Sequence, residues 1–455
     1  MHQRIPLRDV MKGVLTMGKY FGTDGIRGVA GKLLDTTLAH NVGLGLTKAF
    51  DKGTVVIGKD TRESGDMLAM ALASGAMRGG MDVLYAGTVS TPMIAHYAKE
   101  KNMIGIMITA SHNPYADNGI KVIDKGYKMS EESETIIESF IDDPTSPEAD
   151  HFGRFTFTDD VLAAYKALFE KLNLPKMNLN VCYDSANGAT YDVANEILRP
   201  LVDNTEQIYA SPDGTNINKK CGSMHIEAIQ EAVSVKGCDI GFSFDGDGDR
   251  VLAVDHTGKL YDGDMLLYVL AKHMKEEGTL SKDTVVLTKM SNPGIVKAFN
   301  DAGIKVVRTD VGDRNVSLEM QKHGYALGGE NSGHIIMRDY LQTGDGVLVA
   351  AKVMEVLNKR RRSIGKVCEN VEIYPQTMEN IHDIDTSLAD TKKTQKAVKD
   401  ALKSLGKDSL VLIRKSGTEP VIRVTVSHRD RETVDKTIDS LKAIILEQQG
   451  RDTHE

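Results

Sequence analysis

A chain of 455 residues is too long for a single hydrophobic core, so three or four domains are expected. Its composition, 41% hydrophobic and 26% charged, is that of an ordinary globular protein in water. A net charge of −8 without a long Lys/Arg block argues against nucleic acid as a partner, and no apolar run approaches the roughly 18–20 residues of a membrane span.

The opening MHQRIPLRDVMKGVLT lacks the apolar core of a secretory signal, and Met17 begins a more structured stretch. Residues 1–16 are therefore expected to be an extension outside the fold. KYFGTDGIRG follows, with Thr23, Asp24 and Arg27 among glycines; alone it predicts only a polar loop. TVVIGKDTRESG (residues 54–65) introduces a theme: a β-branched strand, a loop of Gly, Asp and Ser, then an amphipathic helix, here DMLAMALASGAM. The theme returns as NVCYDSANGAT from Asn180 and as TVVLTKMSNPG from Thr284, at domain-sized intervals. Strands alternating with helices in this way predict three α/β domains in series.

Within the first of them lies MITASHNPYADNGIK, from Met107 to Lys121. Ser111 is followed at once by His112, and adjacent side chains point apart on a strand or a helix, which excludes the simplest Ser/His dyad. No G-x-S-x-G elbow is present either. A Ser111 that carried a phosphoryl group would need a cation to offset the charge and donors around the oxygens. Lys121 offers a nearby amine.

FSFDGDGDRVLAVD (242–255) supplies a candidate cation site. Asp245, Asp247 and Asp249 repel one another unless a cation holds them together, and the intervening glycines let the backbone turn so that their oxygens converge. Hard oxygen ligands suit Mg²⁺ or Ca²⁺. An EF-hand fails, because its sixth position is Arg250 instead of Gly and its twelfth is His256 instead of Glu. A plain acidic turn would need no third aspartate. Mg²⁺ is preferred, since three carboxylates leave room for a phosphate oxygen or water.

ALGGENSGHIIM (326–337) places Glu330, Asn331, Ser332 and His334 on a glycine loop, where short polar side chains can read sugar hydroxyls; a tight connection between strands is the alternative. KRRR at Lys359–Arg362 reads as a solvated helix end. From near residue 370 the pattern changes to two strands and a helix, the helix carrying Val434, Ile438, Leu441 and Ile445 on one face, which predicts a smaller α+β domain. Its VLIRKSGTEPVIRV loop sets Arg414 and Arg423 around Ser416, Gly417 and Thr418, a plausible phosphate cradle or else a hairpin with exposed arginines. Cys182, Cys221, Cys238 and Cys368 form no CxxC pair and are expected to be reduced, structural thiols.

Taken together and in this order, TASHNP, DGDGDR, GGENSGH and RKSGTEPVIR resemble the motifs of the α-D-phosphohexomutase family, over nearly the whole chain from Met17. The resemblance implies four domains around a central cleft: three α/β domains with mixed sheets and a smaller C-terminal α+β domain, here 17–157, 158–256, 257–370 and 371–455. MGKYFGTDGIRG, SHNPYADNGIK and TGDG (Thr343–Gly346) are most similar to the branch acting on glucosamine phosphates. That likeness implies a phosphoserine at Ser111, which also touches the Mg²⁺ held by Asp245, Asp247 and Asp249. It further implies glucosamine 1,6-bisphosphate as intermediate and activator, with Arg250 assisting at the metal loop. Glu330 and Ser332 would read the sugar. The non-transferring phosphate would sit on Arg414, Ser416, Gly417, Thr418 and Arg423. Candidate acid/base groups are Lys121, His112, Arg27 and His334. Lys121 is favoured, on the expectation that arginines and metal lower its pKa. Small sugar phosphates are the implied partners, and a cytoplasmic monomer or homodimer the implied form.

Overall fold

The computed structural model describes residues 18–22, 24–51, 53–144, 150–415 and 421–452. The expected extension 1–16 and the loop residues Ser416, Gly417 and Thr418 lie outside the described residues, as does Thr23.

Four sheets follow one another along the chain. The first is mixed, in the spatial order Ile26–Val29, Asp117–Asp124, Ile104–Ile108, Thr54–Lys59, Asp82–Thr88, Phe155–Phe157. The pairs from Ile104–Ile108 through Thr54–Lys59 to Asp82–Thr88 are parallel, whereas Asp117–Asp124 folds back antiparallel. The hairpin between Ile104–Ile108 and Asp117–Asp124 is what presents Ser111. The helix expected at DMLAMALASGAM runs from Gly65 to Arg78 and buries Leu68, Ala69, Leu72 and Ala76.

The second sheet runs Leu260–Tyr261, Val251–Asp255, Ile240–Phe244, Met177–Asp184, Val202–Ile208. Its central strands are parallel and its Ile240–Phe244/Val251–Asp255 pair antiparallel, so the DGDGDR segment is the turn of a hairpin. Every residue of these two strands is buried, which makes that turn a rigid mount. The third sheet, Lys305–Thr309, Thr284–Thr288, Leu327–Gly329, Ile335–Met337, again ends in an antiparallel hairpin, whose turn is the GGENSGH loop. The fourth is three-stranded and wholly antiparallel, with Ile422–Ser427 between Gln376–Ile381 and Leu410–Lys415. Its helix Arg431–Asp452 buries Val434, Ile438, Leu441 and Ile445, the face expected from their spacing.

One apolar core runs through the second and third units and reaches the helix Thr91–Glu100 of the first, joining Met93 and Tyr97 to Tyr165, Phe242, Leu266 and Leu348. The fourth unit keeps its own core around Val424, Ile438 and Leu441.

The expectation that all four cysteines are reduced is corrected for two of them. Cys182 and Cys238 form a disulfide, while Cys221 and Cys368 are free and buried. Cys182 lies on Met177–Asp184, and Cys238 precedes the neighbouring parallel strand Ile240–Phe244. The pairing of those strands brings the two Cα atoms to 6.0 Å, within bridging range. A sequence separation of 56 residues gave no hint of it.

Candidate active site

Ser111 leaves its strand into a turn with φ +53°, a left-handed conformation that a residue with a side chain adopts only when its surroundings hold it there. It is fully buried, and its Oγ donates to Asp245 Oδ2 at 2.6 Å. The same turn brings His112 Nδ1 to 3.3 Å from Ser111 Oγ. The exclusion of a Ser–His contact from their adjacency assumed strand or helix geometry, and the positive φ removes that premise. His112 Nδ1 also faces Arg250 Nη1 at 3.0 Å. Burial, then Arg250 and Arg27, lower the His112 pKa to about 4, so its ring is neutral at neutral pH.

Asp245, Asp247 and Asp249 converge as expected, each offering an oxygen within 4.8 Å of the others, and all three are buried. Burial and the two neighbouring carboxylates push the Asp245 pKa well up. Asp249 moves the other way: burial alone would raise it, but Lys121, His334 and Arg250 hold it well below the usual range. Asp247 Oδ1 and Asp249 Oδ1 are buried with no hydrogen-bond partner. Three hard carboxylates, two with an uncommitted oxygen, beside a serine hydroxyl fit a divalent cation of the Mg²⁺ class.

Lys121 lies against this triad, its Nζ 2.7 Å from Asp247 Oδ2, 3.0 Å from Asp249 Oδ2 and 3.3 Å from Asp24 Oδ2. Burial pulls its pKa down, but these carboxylates outweigh burial and hold it well above the ordinary lysine value. The expected lowering is thus corrected, because three carboxylates outweigh burial and the nearby Arg27. Arg27 pairs with Asp24, and Lys128 bridges Asp24 Oδ1 at 2.6 Å and Asp313 Oδ2 at 2.7 Å.

From the third unit, Glu330 Oε1 accepts from Gly312 N at 3.0 Å, and burial followed by Asp313 raises its pKa. His334 Nε2 accepts from Gly344 N at 3.1 Å, which leaves Nδ1 to carry the proton, 3.6 Å from Asp249 Oδ1. Ser332 Oγ is buried without a partner. Asn331 anchors the loop through its backbone oxygen, which accepts from Gly263 N at 3.0 Å. Gly333, at φ +93°, lies so close to Val251 that a Cβ would stand 2.3 Å from the Val251 oxygen, which seats the loop on the strand leaving the metal loop.

From the fourth unit, Arg414 and Arg423 are directly paired across antiparallel strands. Burial, then Arg423, lower the Arg414 pKa, while Glu330 raises it. Two facing guanidinium groups repel unless an anion lies between them. The Nε atoms of Arg27, Arg250 and Arg414 are buried without hydrogen-bond partners.

Ser111, His112, Lys121, Arg27, Arg250, the three aspartates, Glu330, His334 and Arg414 therefore form one electrostatically connected group. Sequence reasoning missed Asp24 as a working residue, although it stands in a motif noted as a polar loop. It also missed Thr91, whose Oγ1 donates to Asp247 Oδ2 at 2.5 Å, and Lys128 and Asp313, which no local pattern marks.

Four family models match the chain in order: the phosphoglucomutase/phosphomannomutase alpha/beta/alpha domains I (18–148), II (157–258) and III (262–374) and the C-terminal domain (376–444). The chain is 41% identical to the phosphoglucosamine mutase of Carboxydothermus hydrogenoformans, over 94% of this chain and 99% of that one. Among solved structures, a phosphoglucomutase/phosphomannomutase family protein from Burkholderia thailandensis superposes with a TM-score of 0.80 at 22% identity, covering 94% of this chain and 98% of that one. The Aspergillus fumigatus N-acetylphosphoglucosamine mutase, solved with GlcNAc-6P and magnesium, gives 0.68 at 16% identity, covering 94% and 96%. These two likenesses speak for the fold. No helix among the described residues is long and apolar enough to cross a membrane.

Proposed function

Because the chain belongs to the phosphoglucomutase/phosphomannomutase family, whose four domains it carries in order, we propose that it is a phosphoglucosamine mutase. It interconverts glucosamine 6-phosphate and glucosamine 1-phosphate in the cytoplasm, for amino-sugar and cell-wall precursor synthesis. The observation that carries this reading is Ser111 Oγ, hydrogen-bonded at 2.6 Å to a buried carboxylate triad with oxygens to spare.

In this reading Ser111 rests as a phosphoserine and passes its phosphoryl group to the C1 hydroxyl of glucosamine 6-phosphate. The bond from phosphorus to Oγ breaks as the bond to the sugar oxygen forms, and the hydroxyl proton leaves to a base. The resulting glucosamine 1,6-bisphosphate turns end for end, returns its 6-phosphate to Ser111, and leaves as glucosamine 1-phosphate. Mg²⁺ on Asp245, Asp247, Asp249 and the Ser111 group would offset charge at the transferring oxygens.

Lys121, held protonated, supplies the proton that the departing Oγ takes up. Neutral His112 is the base that takes the proton of the attacking sugar hydroxyl, and Arg27 and Arg250 hold positive charge around the site. Glu330, Asn331, Ser332 and His334 orient the sugar. Arg414 and Arg423, with Ser416, Gly417 and Thr418, fix the phosphate that is not transferred and so set its distance from Ser111. The chain then divides as 17–157, 158–256, 257–370 and 371–455, each segment bringing one loop to the cleft.

The test is intact mass together with a coupled assay. A fraction of the purified protein is expected one phosphoryl group heavier, and Ser111→Ala to lose both that mass and turnover by about a thousandfold or more. Full activity in Ser111→Ala with bisphosphate supplied would overturn the mechanism. Steady phosphate release without isomerisation would point to a phosphatase. Among glucosamine, glucose and mannose phosphates, glucosamine phosphate is expected to give the highest kcat/KM.

A further inference from the structure

We propose that Arg62 and Asn218 are positioning residues for Ser111, a proposal that rests on the phosphoryl-transfer reading above. Arg62 is fully buried, and its guanidinium is spent almost entirely on the backbone of one loop. Nη2 donates to the carbonyl oxygens of Ser111 at 3.0 Å and Asn113 at 2.9 Å. Nη1 donates to those of Asp117 at 2.9 Å and Pro114, and Nε to Asp60 Oδ2 at 2.9 Å. All five guanidinium donors are thereby engaged. Asp60 Oδ2 also accepts from Thr109 Oγ1 at 2.6 Å, and Thr109 Oγ1 accepts from Ser111 N at 2.9 Å. The ring Arg62–Asp60–Thr109–Ser111 thus grips both the amide and the carbonyl of the residue whose φ is +53°.

Asn218 approaches the same loop from the second unit. Its Nδ2 donates to Ser111 O at 2.9 Å and Asn113 O at 3.0 Å, two of the carbonyls that Arg62 holds. Asn218 is itself anchored in that unit through its backbone N–H, which donates to Ala186 O at 2.9 Å. The Arg62 loop is tied across as well: Thr61 Oγ1 donates to Asn187 O at 2.5 Å, and Glu63 N to Gly214 O at 3.0 Å. Gly246 of the metal loop closes against this junction. A Cβ there would stand 2.4 Å from Ser111 O and 2.9 Å from Asn218 Nδ2.

Ser111 and Asp245 are mounted on different sheets, yet their oxygens meet at 2.6 Å. The layer that joins the two mounts is Arg62, the shared carbonyls, Asn218 and Gly246. Phosphoryl transfer depends steeply on distance and alignment, and misplacement of about 1 Å costs on the order of a hundredfold. Neither Arg62 nor Asn218 belongs to the sugar or phosphate loops, so their contribution should appear in kcat and not in substrate affinity.

The experiment compares wild type, Asn218→Ala, Arg62→Lys, the double variant of these two and Ser111→Ala, using glucosamine 6-phosphate, Mg²⁺ and bisphosphate activator. Lysine keeps the buried charge of Arg62 but cannot reach four carbonyls. Asn218→Ala and Arg62→Lys are expected to lower kcat by about tenfold to a hundredfold with KM within about twofold. Circular dichroism should show both variants folded at the assay temperature. The double variant is expected to lose less than the product of the single losses, because the two side chains share the Ser111 and Asn113 carbonyls. If Arg62→Lys does not fold, Asn218→Ala decides alone. Unchanged kcat in a folded variant overturns the proposal, as does a loss that rises in KM or merely follows the unfolded fraction. Turnover by Ser111→Ala equal to wild type would instead defeat the phosphoserine reading, so the two failures are distinguishable.

Discussion

Lys121 competes with any bound cation for the same carboxylate oxygens, since its ammonium already contacts Asp247 and Asp249. Removing it would leave buried carboxylates short of positive charge, and breaking such a pair costs up to about 3–5 kcal/mol in a protein interior. Lys121→Met is therefore expected to lower both turnover and the melting temperature of the metal-free protein. Added Mg²⁺ should restore more of the melting temperature in the variant than it adds to wild type, because the cation meets no competitor there. Thermal melts with EDTA and with Mg²⁺ check this, and an equal Mg²⁺ gain in both proteins would contradict it.

At the scale of the element, one strand pair and one helix have measurable consequences. Arg414 and Arg423 stand opposite each other on Leu410–Lys415 and Ile422–Ser427, so their side chains leave the same face of the sheet. Arg423→Ala is accordingly expected to raise KM for the sugar phosphate and lower kcat, with the Mg²⁺ midpoint and the stability of the C-terminal unit nearly unchanged. Equal damage to metal binding would contradict the role given to this strand pair. The helix Gly346–Arg360 begins at Asp345, whose side chain accepts from Leu348 N at 3.0 Å and from Tyr165 Oη at 2.9 Å. Burial outweighs both donors and raises its pKa to about 6, above the unfolded value near ~3.9. A carboxyl raised on folding adds stability below its unfolded value, and that stability is lost as pH rises through about 6. Asp345→Asn keeps a capping oxygen but cannot titrate. It should flatten the decline in stability between about pH 4 and 7 by on the order of 2 kcal/mol, read from urea unfolding at several pH values.

At the scale of the molecule, the distribution of apolar cores predicts how the chain comes apart. One core joins the second and third units and reaches into the first, whereas Val424, Ile438 and Leu441 belong to a separate core in the fourth. The third unit holds the start of the fourth through Asn292, whose Nδ2 donates to Tyr374 O at 2.9 Å and whose Oδ1 accepts from Tyr374 N at 3.0 Å. Calorimetry is expected to resolve two transitions. Chelation with EDTA should lower the one that contains the triad and leave the C-terminal one in place. A single transition that shifts as a whole would show that the fourth unit is energetically fused to the rest.

The α/β alternation, the smaller final unit and the loops that carry chemistry are legible in residue order alone. Those signals are local: β-branched runs, turn glycines, and three carboxylates too close to coexist without a cation. The buried face of the last helix was legible for the same reason, because Val434, Ile438, Leu441 and Ile445 recur at helical spacing. What surrounds each loop is set by contacts between distant segments. Lys121 was expected among arginines and lies among carboxylates, because Asp24, Asp247 and Asp249 arrive from two different sheets. Cys182 and Cys238 meet because two parallel strands pair, a fact no spacing encodes. His112 approaches Ser111 because that turn is left-handed, and the turn is held by Arg62 and Asn218, distant in sequence from it. Local patterns name the reacting groups, while their charge states and distances are set by long-range contacts that form only when separate units dock.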